Sequence, residues 1–148
     1  MTAKREGDHD ASLRRFPTRY LGRAWSPADG RPLTVIAETE HRLGMSLPPE
    51  LTAFHHHLGG CKELLNAHNT IFTLEELEIA DGYLFIAEEE QNVVSWALPL
   101  QQPDNTDPVV WQRVNDLACA WYSEEQGVVE FFHSMLDWTF DIEHSSAH

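Results

Sequence analysis

From Pro32 onward the apolar positions follow two rhythms, one of three to four residues and one of two. Leu33, Ile36, Ala37 and Leu43, with Glu40 in the same stripe, recur at the helical interval and define one face. Pro32 suits a helix entrance, and Gly44 stands where a left-handed C-cap belongs. The chain restarts at Ser46-Leu47-Pro48-Pro49, with prolines again at a helix entrance. Leu51, Phe54, His55 and Leu58 then mark a second helix, which Gly59-Gly60 ends. Glu40 breaks the apolar stripe, and a carboxylate placed there needs donors. The unpaired N–H groups at the start of the second helix, around residues 49–51, are suitable donors, so Glu40 is read as a clasp between the two helices. Glu40, Gly44 and Pro48 are thus expected to be structural.

The second half alternates. Thr73-Leu74-Glu75-Glu76 has the form of a capping box and predicts a short helix through residue 80. Asp81-Gly82 signals a turn. Residues 83–87 and 93–98 are rich in strand formers and flank Glu88-Glu89-Glu90-Gln91-Asn92, which predicts an antiparallel hairpin with an acidic tip. A proline-containing loop follows, then a strand at 109–111 and another at 119–122. A second capping box, Ser123-Glu124-Glu125-Gln126, predicts the start of a last amphipathic helix carrying Val128, Phe131, Phe132, Met135 and Trp138. Two helices, a meander of strands and a final helix make an α+β fold: an antiparallel sheet packed by N-terminal and C-terminal helices.

Residues 1–31 lack this rhythm. Pro17, Pro27 and Gly30 interrupt them, and they read as a loosely packed basic arm pinned by Phe16, Tyr20, Leu21 and Trp25. Residues 32–142 are then the domain proper and 143–148 a frayed tail. A chain of 148 residues with 42% hydrophobic content is one domain's worth, able to bury about 70% of its unfolded surface without disulfides or metal.

Charge changes the picture. Residues 1–31 hold seven Lys or Arg against four Asp or Glu, a balance of +3, and the remainder holds three against 20, a balance of −17. Such a body repels phosphate backbones and anionic membranes and speeds encounter with basic partners. Nucleic acid and membrane are therefore excluded as expected partners. Cys61 and Cys119 are too few for a disulfide framework, no stretch approaches the roughly 20 apolar residues of a membrane span, and the polar start lacks a signal-peptide core. The expected location is cytoplasmic.

Candidate chemistry is sparse. No phosphate-cradling loop, dinucleotide fingerprint, nucleophile elbow or metalloprotease histidine pair occurs, so no catalytic residue, metal ligand or cofactor is assigned and the chain is not expected to be an enzyme. His55-His56-His57 cannot converge on one metal, because successive helix side chains diverge by about 100°. A site built from His57, Cys61 and His68 would make a small metal-dependent hydrolase, a weaker alternative. His55 is expected to be partly packed at a solvent-facing helix end. Of the five tryptophans, Trp96 and Trp138 fall in core patterns, while Trp111 and Trp121 lie near loops. Glu88, Glu89, Glu90, Asp104 and Asp107 suit electrostatic recognition of a basic surface, with Trp111 as an aromatic anchor.

Ile36, Glu40, Leu43-Gly44, Leu47-Pro48 and residues 51–54, followed by Gly59-Gly60, resemble the opening signature of the SUKH superfamily. The later hairpin, the Asp107-Pro108-Val109 strand entry and a last helix with Phe131, Phe132 and Met135 extend the likeness over residues 32–140. His57-Leu58-Gly59-Gly60 departs from the aromatic–Asn-Gly stretch common in that family. The resemblance implies a sheet of about six strands and no catalysis. It implies a bacterial immunity protein that binds and masks a cognate toxin, often a nuclease or deaminase, and such a toxin is basic where it grips nucleic acid. A regulatory or scaffold module binding an endogenous protein is the alternative.

Overall fold

The computed structural model describes residues 9–101 and 107–140. Helix α1 (Phe16–Leu21) and a 3-10 turn (Pro27–Asp29) lead into α2 (Leu33–Leu43) and α3 (Pro49–Leu58). A short α4 (Lys62–Leu65) precedes strands β1 (Thr70–Ile71), β2 (Glu78–Ala80), β3 (Tyr83–Glu88), β4 (Val94–Pro99), β5 (Val109–Val114) and β6 (Trp121–Gly127), and α5 (Val128–Thr139) closes the fold. The six strands form one antiparallel sheet in the order β1-β3-β4-β5-β6, with β2 also paired to β3. The α+β architecture predicted from the sequence is therefore present.

The helical signals act as predicted. Gly44 caps α2 at φ 73°, a left-handed conformation that suits glycine. Pro48, extended at ψ 147°, sets up α3, and its carbonyl accepts the Thr52 N–H at 2.9 Å. The Glu40 carboxylate does clasp the two helices, but its donor is the Leu47 N–H at 2.7 Å, ahead of the predicted positions.

Leu84, Ile86, Trp96, Leu98 and Val110 from the sheet share one buried core with Leu51, Phe54 and Leu58 of α3 and Phe132 and Leu136 of α5. Leu13, Phe16 and Tyr20 are buried in the same cluster. Over residues 9–31 this corrects the loosely packed arm, because three large apolar side chains are anchored there. The Tyr20 hydroxyl donates to Asp137 at 2.7 Å, Asp29 takes both ends of the Arg23 guanidinium, and Arg31 grips Glu75 with two hydrogen bonds. The predicted tail, 143–148, lies outside the described residues.

Both acidic capping boxes mislead about length. The Thr73 and Glu76 backbone and side-chain groups do bond reciprocally, at 2.9 and 3.3 Å, but around a single turn, and residues 78–80 pair with β3 instead of continuing a helix. Ser123 to Gln126 lie in β6, and the last helix starts at Val128, whose neighbour Val129 donates its N–H to Glu50 at 3.0 Å. Long-range pairing and a remote carboxylate override the local signals. Trp138 is likewise not core: it is 56% exposed and lies against His68.

Candidate protein-binding surface

Side chains alternate across a strand, so the residues between the core-facing Leu84 and Ile86 and beside Leu98 point to the opposite, outer face. Cross-strand partners share a face, and the register therefore defines two outer rows. Phe85, Ala97, Trp111 and Ser123 form one, and Glu88, Ser95, Arg113 and Trp121 form the other. A register irregularity between Phe85 and Ala87 returns Glu88 to the outer side.

Arg113 is the one Lys or Arg after Lys62. Its guanidinium lies 4.6 Å over the Phe85 ring and 6.0 Å from Trp121, with Nε donating to Asn115 at 2.9 Å and the Asp81 carboxylate at 3.7 Å. Tyr83 stacks on Trp121 at 3.8 Å and 10°. Tyr83 is on β3 and Trp121 on β6, and two strands intervene. Neighbouring strands are about 4.8 Å apart, so the rings meet only because the sheet curls toward this side. Beside the aromatic group is a recess of about 410 Å³ lined by Phe72, Glu78, Phe85, Glu88, Arg113 and Cys119.

One end of this face consists of two linked turns. Asn115 donates its backbone N–H to Val93 at 2.9 Å, and its side chain reaches the Asn92 carbonyl and the Ser95 hydroxyl, each at 3.0 Å. The β3–β4 turn is thereby tied to the β5–β6 turn. Within the second turn the Asp116 carboxylate accepts the Ala118 and Cys119 N–H groups, each at 3.0 Å. Leu117, between them, is fully exposed, and Val93 is 54% exposed. Cys119 is exposed as well, in a left-handed conformation at φ 50°.

The predicted partner-binding residues are only partly brought together. Glu88 lines the recess, and Glu90 is exposed at the turn. Glu89 has a structural share, since its carboxylate accepts the Gln91 and Val93 N–H groups at 3.2 and 2.9 Å. Trp111 is half-buried in the outer row with Phe85. Asp107 is elsewhere: it precedes the far end of β5 and accepts the Glu50 N–H at 3.2 Å, capping α3. Asp104 lies outside the described residues. Sequence reasoning missed Arg113, Asn115, Asp116 and Leu117, although Asn115-Asp116 is a turn signal and Arg113 is conspicuous as a lone cation.

His57 and Cys61 serve the interior. His57 Nε2 lies 3.0 Å from Asp10, and its Nδ1 accepts from Arg14 Nε at 3.3 Å. Cys61 is buried near Arg23, and burial pushes its thiol up to about 11. His68 lies against Trp138. Among the described residues no group of three or more His, Cys, Asp or Glu is placed to hold a metal ion, and no helix is long and apolar enough to cross a membrane. His55 is fully buried rather than partly packed, because residues 29–31 lie over the end of α3, where the Arg31 N–H donates to the His55 carbonyl at 3.0 Å.

Comparison with protein-family models, with curated proteins and with solved structures finds no match.

Proposed function

We propose that this chain is a non-catalytic binding domain of the immunity type, which neutralises a basic toxin domain of the nuclease or deaminase class by covering it in the cytoplasm. The observation that carries this reading is the outer face of the sheet. It combines half-buried aromatics and exposed apolar side chains with Glu78, Glu88, Glu90 and Asp116, and Arg113, its one cation among the described residues, is engaged by neighbours. Aromatic groups set among acids suit a protein partner whose surface is basic. The SUKH-like order of motifs in the sequence supports the same reading.

The test is co-expression with the toxin domain encoded beside this chain. The chain should restore growth and form a one-to-one complex on gel filtration. Restored growth without a complex, or a complex with unreduced toxicity, contradicts the reading. Where no toxin gene adjoins, a regulatory module acting on an endogenous basic protein takes its place.

A further inference from the structure

Resting on that protein-binding reading, we infer that the docking point is the end of the sheet where the β3–β4 and β5–β6 turns meet, with Leu117 entering an apolar recess that the toxin domain surrounds with basic side chains. Three observations lead to this. Leu117 is fully exposed although a turn needs no apolar residue at its tip, and the exposed Val93 sits in the turn tied to it by Asn115. The tip is pre-organised: the Asp116 carboxylate fixes two N–H groups of the turn, and Asn115 joins it to Asn92 and Ser95. A turn backbone held in this way loses little further freedom on binding. Finally, residues 89–93 and 115–120 contain Glu89, Glu90 and Asp116 but no Lys, Arg or His.

That charge selects the occupant. Phosphate backbones and anionic headgroups are repelled, and a second copy of this chain would set like charges against each other. A basic protein is attracted, and the acids speed its approach while the leucine holds it.

Cys119, two residues from Leu117, makes the idea testable in the intact chain, since Cys61 is buried and serves as an internal reference. With the adjacent toxin domain bound, iodoacetamide alkylation of Cys119 should slow at least tenfold. Leu117→Ser should raise Kd by roughly 10- to 100-fold, mainly through faster dissociation, with an unchanged melting temperature. Leu33→Ser, at a residue 59% exposed on α2, should change Kd by less than about twofold. Tight binding by the wild type together with unprotected Cys119 and full affinity in Leu117→Ser overturns this docking point and leaves the protein-binding reading intact. Failure of the wild type to bind removes both.

Discussion

His55 is the residue whose chemistry departs furthest from its sequence expectation. It is enclosed with no hydrogen-bond partner on either ring nitrogen among the described residues, and its ring meets Phe54 edge-on. Burial pushes its pKa from 6.5 down to about 3, with the Arg31 charge adding to the effect, so the folded protein keeps it neutral. The unfolded chain takes up a proton there first as pH falls. Stability from this group is complete above 6.5 and is lost progressively toward 3, at up to about 1.4 kcal/mol for each pH unit. His57, lowered chiefly by burial, acts in the same direction. His55→Leu should therefore flatten the fall in urea-measured stability between about pH 7 and 5, while costing under about 1.5 kcal/mol at neutral pH. An undiminished slope would show that other groups carry the acid sensitivity. The stripe Leu51, Phe54, His55, Leu58 made His55's orientation readable in the sequence. Its enclosure was not readable, because that depends on residues 29–31, about 25 positions away.

At the scale of elements, close backbone contacts join the first 31 residues to the body. A Cβ on Gly30 would stand 2.0 Å from the His56 carbonyl oxygen, and one on Gly60 would stand 3.0 Å from the Ala28 and Gly30 carbonyl oxygens. Gly30→Ala should thus cost about 2 kcal/mol or more in chemical unfolding, since backbone must move. A cost below about 0.5 kcal/mol would mean that the 3-10 turn shifts freely. Asp137 is the matching tie at the other end. Burial opposes its ionisation, but hydrogen bonds from Arg19 and Tyr20 outweigh this and hold its pKa below the usual carboxylate value. Asp137→Ala should cost about 1–3 kcal/mol and raise amide exchange in α1 more than in α3. Equal effects on the two helices would contradict a local clasp. Element identity was legible where local signals agreed, as at Gly44 or in the hairpin around Glu88 to Asn92. It failed at Thr73 and Ser123. There a capping pattern was real or plausible, but β3 and β5 offered backbone partners that a local pattern cannot reveal.

For the whole molecule, the fold class followed from the order of rhythms, whereas the surface did not. The acids of the hairpin and Trp111 were visible as candidates, but the curl that brings Tyr83 onto Trp121 and the bond from Asn115 to Val93 are made by strands far apart in sequence. The bond from Glu50 to Asp107 was hidden for a similar reason, because the two are 57 residues apart. What the sequence carried best was charge. A body at −17 beyond residue 31 acts on an approaching partner before any contact forms. Steering by this charge is tested by the association rate between this chain and the adjacent toxin domain, measured by stopped flow at about 0.01 M and about 1 M salt, where charges are felt over roughly 30 and 3 Å. Electrostatic steering predicts a rate that falls tenfold or more at high salt with a much smaller change in dissociation. A rate that does not depend on salt would contradict it.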